Sequence, residues 1–177
     1  LLRVSSGLYY DLIPGGQKLL AEANGRFEEY CFELFKRTFP ELSVRRDYRY
    51  GSSSKPIDTP DTLVSRSGQV VIVAECKATK LTYLAQFADD PFEAQRHQYE
   101  QLAEGVAQTW RFFSHARRKL IGEEVAPEAY GMIVTLDTFL AFKGPLQKKV
   151  LELASTIAAD DPDIIDEDKR HVMFCAI

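Results

Sequence analysis

Apolar and polar positions along this chain follow two rhythms, one of about 3.6 residues and one of two. From 17 to about 39 the pattern is helical, with Phe32, Phe35 and Phe39 recurring on one side before Pro40 ends the run. Residues 42 to 50 read as a strand, with Leu42, Val44 and Tyr48 set among basic residues, and 51 to 56 (Gly-Ser-Ser-Ser-Lys-Pro) as a loop. Residues 61–65 and 69–77 read as a hairpin around Arg66-Ser67-Gly68. A second long helix is expected from Asp90 to about Leu120, with Asp90 as N-cap, Pro91 in the first turn and Glu93 completing a capping box. Residues 130–136 form another strand. Gly144-Pro145 opens a third helix, with Leu146, Val150, Leu153 and Ile157 on one face, and 171–177 is a closing strand. The order αβββαβαβ predicts an α/β fold, a mixed central sheet flanked by helices.

Length changes this picture little. The 177 residues suit one domain, with 45% hydrophobic and 27% charged positions. No apolar run reaches the roughly 20 residues that span a bilayer. Cys31, Cys76 and Cys175 have no metal-type spacing, which points to a reducing compartment and a cytoplasmic setting. The chain opens on Leu1-Leu2 without Met, so one domain of a larger multidomain protein is the expected context; a homodimer is the alternative.

Charge matters more. The net charge of −4 argues against a nucleic-acid partner, but its distribution is uneven. Residues 36 to 80 carry nine Lys/Arg against five Asp/Glu, while 150 to 168 hold seven acids and no base. A basic middle can attract phosphate while an acidic loop remains in solvent. Arg45, Arg46, Arg49 and Lys55, near the serine loop, are candidate contacts to a phosphate backbone.

The candidate chemistry lies where the apolar run Val70-Val71-Ile72-Val73-Ala74 meets Glu75-Cys76-Lys77. Alternate strand residues share a face, so Glu75 and Lys77 point the same way, roughly 6.6 Å apart along the strand. Cys76 points with Ile72 and Ala74 into the core. Asp61 can join Glu75 only if the turn allows it. A two-residue loop at Ser67-Gly68 puts Asp61 opposite Ala74, on the wrong face. A three-residue loop puts it opposite Val73, diagonal to Glu75 and within reach. A joint site therefore requires the odd-length loop, or a bulge that restores the face. Two carboxylates so close raise one another's pKa unless a cation lies between them. Such oxygen ligands suit Mg²⁺ or Mn²⁺.

Pro60-Asp61, thirteen residues, then Glu75-Cys76-Lys77 resembles the PD-(D/E)XK motif of restriction-endonuclease-like nucleases. That family's core is αβββαβ, and the resemblance spans roughly residues 20 to 136, leaving 137 to 177 as a C-terminal extension. It implies that Asp61 and Glu75 bind Mg²⁺ (with Mn²⁺ able to substitute), that the carbonyl of Cys76 adds a ligand, and that Lys77 positions the attacking water. Many members carry a glutamate on the first helix, often after Gly and Phe, as in Gly25-Arg26-Phe27-Glu28. Glu28 shares a face with Phe32, Phe35 and Phe39, whereas Glu29 shares one with Glu33, Lys36 and Arg37, so Glu28 is the candidate. Gln95 and Tyr99 resemble the Q-x-x-x-Y element of the RecB-like branch, which implies a part in holding substrate. They begin a stripe continued by Leu102, Val106, Trp110 and Phe113. His97 faces elsewhere, and His115 and His171 lack ligand spacing. No Gly-rich phosphate loop and no Gly-Xaa-Ser-Xaa-Gly elbow is present. The expected function is Mg-dependent hydrolysis of DNA phosphodiester bonds, as an endonuclease. The alternative is a catalytically silent nuclease-like fold that binds DNA or protein.

Overall fold

The structure, a computed structural model, describes residues 17–79, 88–136 and 144–177. Lys80 of the basic stretch, the first sixteen residues and the start of the expected extension lie outside them. Helix α1 (Gln17–Thr38) is followed by β1 (Ser43–Arg46), β2 (Arg49–Ser52), β3 (Lys55–Asp58), β4 (Thr62–Arg66) and β5 (Gln69–Lys77). Then come α2 (Pro91–Ala94), α3 (Arg96–Arg117), β6 (Glu124–Thr135), α4 (Pro145–Ala158), a 3-10 turn (Asp166–Asp168) and β7 (Val172–Ala176).

Five strands make one sheet in the order β1-β4-β5-β6-β7. The β1/β4 and β4/β5 pairs are antiparallel, and the β5/β6 and β6/β7 pairs are parallel. The sheet is mixed and flanked by helices, an α/β arrangement. Phe27, Cys31 and Phe35 of α1 pack against Val64, Ile72, Ala74, Cys76 and Val134 on one face. Leu102, Val106, Trp110 and Phe113 of α3, with Val150 and Ala154 of α4, pack against Leu63, Val73, Ile133 and Val172 on the other. Strand β5 is covered on both sides, which explains its unbroken apolar run. Among the described residues no helix is long and apolar enough to cross a membrane.

Three expectations are corrected. The strand read over 42–50 is two strands, because the chain leaves the main sheet at Asp47. Asp47 N–H donates to the Asp61 carbonyl, and Tyr48 N–H donates to Thr59 Oγ1 at 3.0 Å. What read as a serine loop is a hairpin in which β2 pairs with β3, Gly51 opposite Pro56 and Ser52 opposite Lys55. Arg49 and Asp58 clasp it from opposite strands at 2.7 Å. The second helix is also two. Asp90 caps α2 by accepting from Phe92 N–H and Glu93 N–H, but Gln95 leaves helical geometry at φ −140°, ψ 36°. Glu93 turns to Arg96 at 2.8 Å.

The acidic run does not simply remain in solvent. It docks on the C-terminal end of α3, where Arg117 grips Asp168 through Nε and Nη2 at 2.9 and 2.8 Å, and Arg118 pairs with Asp163 at 2.8 Å. Asp168 is buried, also accepting the N–H of Ile165. Of these two acids Asp168 is shut away from water, while Asp163 keeps its exposure beside Arg118.

Candidate active site

The β4–β5 hairpin decides whether two acids meet. Its loop has two residues, Ser67 and Gly68, both with positive φ (52° and 86°), in the twist that tight hairpins favour. Arg66 therefore faces Gln69 and Ser65 faces Val70. Continued regularly, that register would set Asp61 against Ala74. Instead it shifts by one at Val71, so Val64 faces Ile72 and Thr62 faces Ala74. Asp61 thereby comes beside Glu75 on the α3 face. The even loop and a β-bulge together do the work for which an odd loop was the other option.

Five acid or amine side chains, Glu104 of α3 among them, line a cavity of about 340 Å³ at the C-terminal end of β5. Glu28 comes from α1, Asp61 from the approach to β4, and Glu75 and Lys77 from β5. Asp61 Oδ2 accepts the N–H of Cys76 at 2.6 Å. Lys77 Nζ donates to Glu75 Oε1 at 2.9 Å and to Gln108 Oε1 at 3.2 Å. Helix α3 can lie this close because position 105 is glycine. A Cβ there would stand 3.0 Å from Lys77 Cε and 3.3 Å from Glu75 Cγ.

The electrostatics are those of acids crowded in a poorly hydrated place. Burial, then the Asp61 charge, pushes the Glu75 carboxyl up to about 7. Burial also raises Asp61, opposed by the Cys76 N–H and by Lys77. Glu28 is raised by burial, by Asp61 and by Asp47. Burial pulls the Lys77 ammonium down, but Glu75, Asp61 and Glu104 carry it above the ordinary lysine value. Lys77 is therefore a cation here rather than a base.

The remaining candidates divide. Glu29 turns outward to Arg46 at 2.6 Å, leaving Glu28 to the cavity, although the buried stripe beside it is Phe27, Cys31 and Phe35 rather than one through Phe32. Phe32 instead lies under the Arg46 guanidinium. Arg45 is bound to Glu123. Arg45, Arg46 and Lys55 do not line the cavity, and Lys55 is exposed on β3. Gln95 and Tyr99 are buried and outside the cavity's lining, with Tyr99 stacked on Phe92 at 4.9 Å. Cys76 lies in the core, as its alternation requires, where the contact with Cys31 and burial raise its thiol. The two cysteines, 45 positions apart in sequence, meet behind the site.

Sequence reasoning missed the contribution of α3. Gln101 and Glu104 line the cavity and Gln108 holds Lys77. Their spacing of three and four residues marks a polar stripe beside the apolar one at 102, 106, 110 and 113, a signal available from the chain alone. Asp47 was missed because only the turn out of β1 brings it near Asp61.

Among the described residues no group of three or more His, Cys, Asp or Glu side chains is arranged to hold a metal. A hard ion that retains most of its water needs fewer protein ligands. Asp61 and Glu75 each keep an oxygen free of the Cys76 and Lys77 contacts, and the raised carboxyls mark a site short of positive charge. Asp61 and Glu75 are the side chains that could hold such an ion. Comparison with protein-family models, curated proteins and solved structures gives no match to this chain.

Proposed function

We propose that this chain is a metal-dependent nuclease domain with a restriction-endonuclease-like core, hydrolysing DNA phosphodiester bonds within the strand. The observation that carries this reading is the convergence of Asp61, Glu75 and Lys77 on one polar cavity, achieved by a bulge in an otherwise regular hairpin. Two carboxylates that repel each other, held beside an ammonium at a strand end, have no packing purpose. With β2–β3 as an insertion, α1, β1, β4, β5, α3 and β6 also run in the αβββαβ order of such a core, and α4 and β7 follow it.

In this mechanism Asp61, Glu75 and the Cys76 carbonyl would hold Mg²⁺, or Mn²⁺ in its stead, which when bound would supply Lewis-acid polarisation of the phosphoryl oxygen and acidification of water. The Cys76 N–H fixes the rotamer of Asp61, so one carboxylate oxygen stays aimed at the cavity. Lys77, kept protonated by its acids, orients the attacking water and offsets negative charge growing on the phosphate. Gln108 steadies that ammonium from α3. Glu28, its carboxyl raised, is a hydrogen-bonding partner for water at the opposite wall.

The test is nicking of supercoiled plasmid with Mg²⁺ or Mn²⁺. Lys77→Ala and Asp61→Asn should lose at least about a hundredfold in rate while keeping the fold, the scale expected of charge stabilisation at the reacting centre. If the purified chain cuts neither plasmid nor single-stranded DNA, and Mn²⁺ does not raise its melting midpoint, the silent alternative stands and the enzyme reading falls.

A further inference from the structure

A second cavity, of about 160 Å³, lies beneath the β2–β3 hairpin and is lined by Tyr50, Asp58, Pro60, Gln108, Arg111 and Phe112, among others. It adjoins the site through two residues. Pro60 precedes Asp61, and Gln108 donates nothing to Lys77 but accepts its ammonium. A group seated here is one short step from whatever the acid pair acts upon.

The lining has the chemistry of an anion next to an aromatic plane. Arg111 is the cation of this cavity, and its nearest acid, Asp161, is 3.9 Å away. The arginines that end and follow α3 are held at 2.8 Å, Arg117 by Asp168 and Arg118 by Asp163. Arg111 thus retains donors that its neighbours have committed. Asp58, the acid in the lining, is bound by Arg49 at 2.7 Å and repels an anion less than a bare carboxylate would. Tyr50 is half-buried and fixed by its hydroxyl, 2.5 Å from His115 Nδ1, so its ring is a rigid wall. The Arg111 charge lies near enough to be felt at the Tyr50 hydroxyl.

Gln101, Glu104, Gln108 and Arg111 follow one another at three, four and three residues, so a single polar stripe of α3 runs from the acid cavity to this one. We propose that this second cavity is a subsite for the backbone phosphate flanking the scissile one, with Arg111 as its ligand and the adjoining sugar or base against Tyr50. The proposal rests on the nuclease reading. It assigns a binding role to a hairpin that the main sheet does not need.

The experiment is a methylphosphonate scan. Duplex and single-stranded oligonucleotides, each with one phosphate made neutral, are compared for calcium-supported binding and for magnesium-dependent cleavage by the wild-type chain and by Arg111→Gln. At one position beside the cut bond, neutralisation should weaken wild-type binding about tenfold, the range for one charge-assisted hydrogen bond. Arg111→Gln should weaken unmodified DNA by the same factor and lose nothing further at that position. It should also reduce the slope of log affinity against log salt by about one, which Arg111→Lys should restore. If the two effects simply add at every position, the subsite is overturned while the nuclease reading survives. If the wild-type chain neither binds nor cuts DNA, that reading fails and the subsite with it.

Discussion

Asp61 Oδ2 accepts the Cys76 N–H at 2.6 Å, so the residue just before β4 is anchored on the strand that carries Glu75 and Lys77. One carboxylate thereby serves two ends: one oxygen satisfies a backbone donor at the end of the sheet, and the other is left for the cavity. The two roles come apart on substitution. Asn at 61 retains an acceptor for the Cys76 N–H, whereas Ala leaves that donor without one. Asp61→Ala should therefore cost about 1–3 kcal/mol in chemical denaturation without metal, and Asp61→Asn markedly less. Both should abolish the rise in melting midpoint with Mn²⁺. Equal stability of the two variants would show that the 2.6 Å contact contributes nothing to the fold.

Glu75 gives a pH signature. Its carboxyl is raised from the ordinary 4.5 to about 7 by burial and by Asp61. The folded chain thus holds this proton more tightly than the unfolded chain does. In metal-free protein the resulting stability is fully present below the unfolded value and is lost as pH rises through about 7. The loss is on the order of 3 kcal/mol. Melting in chelator should show the midpoint falling from about pH 5 to about pH 8, with the fall largely removed in Glu75→Gln. A midpoint that climbs over this interval in the wild type, and equally in the variant, counts against a buried acid at 75.

Gly105 sets the distance between α3 and the site. Ala there gains up to about 1 kcal/mol of helix propensity, but its Cβ would press Lys77 Cε at 3.0 Å and Glu75 Cγ and Ile133 Cδ1 at 3.3 Å. The lysine stem can yield and the core isoleucine much less. Gly105→Ala should leave stability within about 1 kcal/mol of the wild type while displacing the ammonium, so that nicking falls at least about tenfold. Full nicking by a normally folded variant would mean that the Lys77 position is not demanding.

The parts that the chain announced, and those it concealed, differ in the range of the interactions that make them. Helix α1, the five main-sheet strands and the choice of Glu28 over Glu29 follow from periodicity, which is local. Parity counting along the hairpin showed what the joint position of Asp61 and Glu75 requires, an odd loop or a bulge, but which of the two the chain uses depends on the register shift at Val71. The β2–β3 hairpin was hidden because its turn is a run of serines and its apolar residues, Tyr50 and Ile57, are too few to show alternation. They find cover only where α3 packs above them. The break at Gln95 was hidden behind good caps: Asp90 and Pro91 start a helix but do not determine how far it runs. The docked acidic segment looked like solvated charge because its arginine partners lie about 50 positions earlier, a separation at which no sequence pattern operates.

That docked segment gives a stability prediction independent of the chemistry. Asp168 is 2% exposed and sits in the fork of Arg117, with the Ile165 N–H as a third donor. Burial works against its charge, yet Arg117 and Ile165 hold its carboxyl below the ordinary value. A depressed acid contributes stability that is present above the unfolded value and lost as pH falls through the folded one. Arg117→Ala leaves a buried carboxylate with one of these three donors, and the arginine's own partial exposure moderates the loss. The expected cost is about 1–3 kcal/mol near neutral pH, shrinking below about pH 4 as Asp168 takes up a proton. Arg117→Ala combined with Asp168→Asn should recover part of the loss, because the stranded charge is gone. Urea melts of the single and double variants at both pH values measure this directly. A double variant no more stable than Arg117→Ala alone would show that the arginine acts through its packing and its bond to the Asp163 carbonyl rather than through the ion pair.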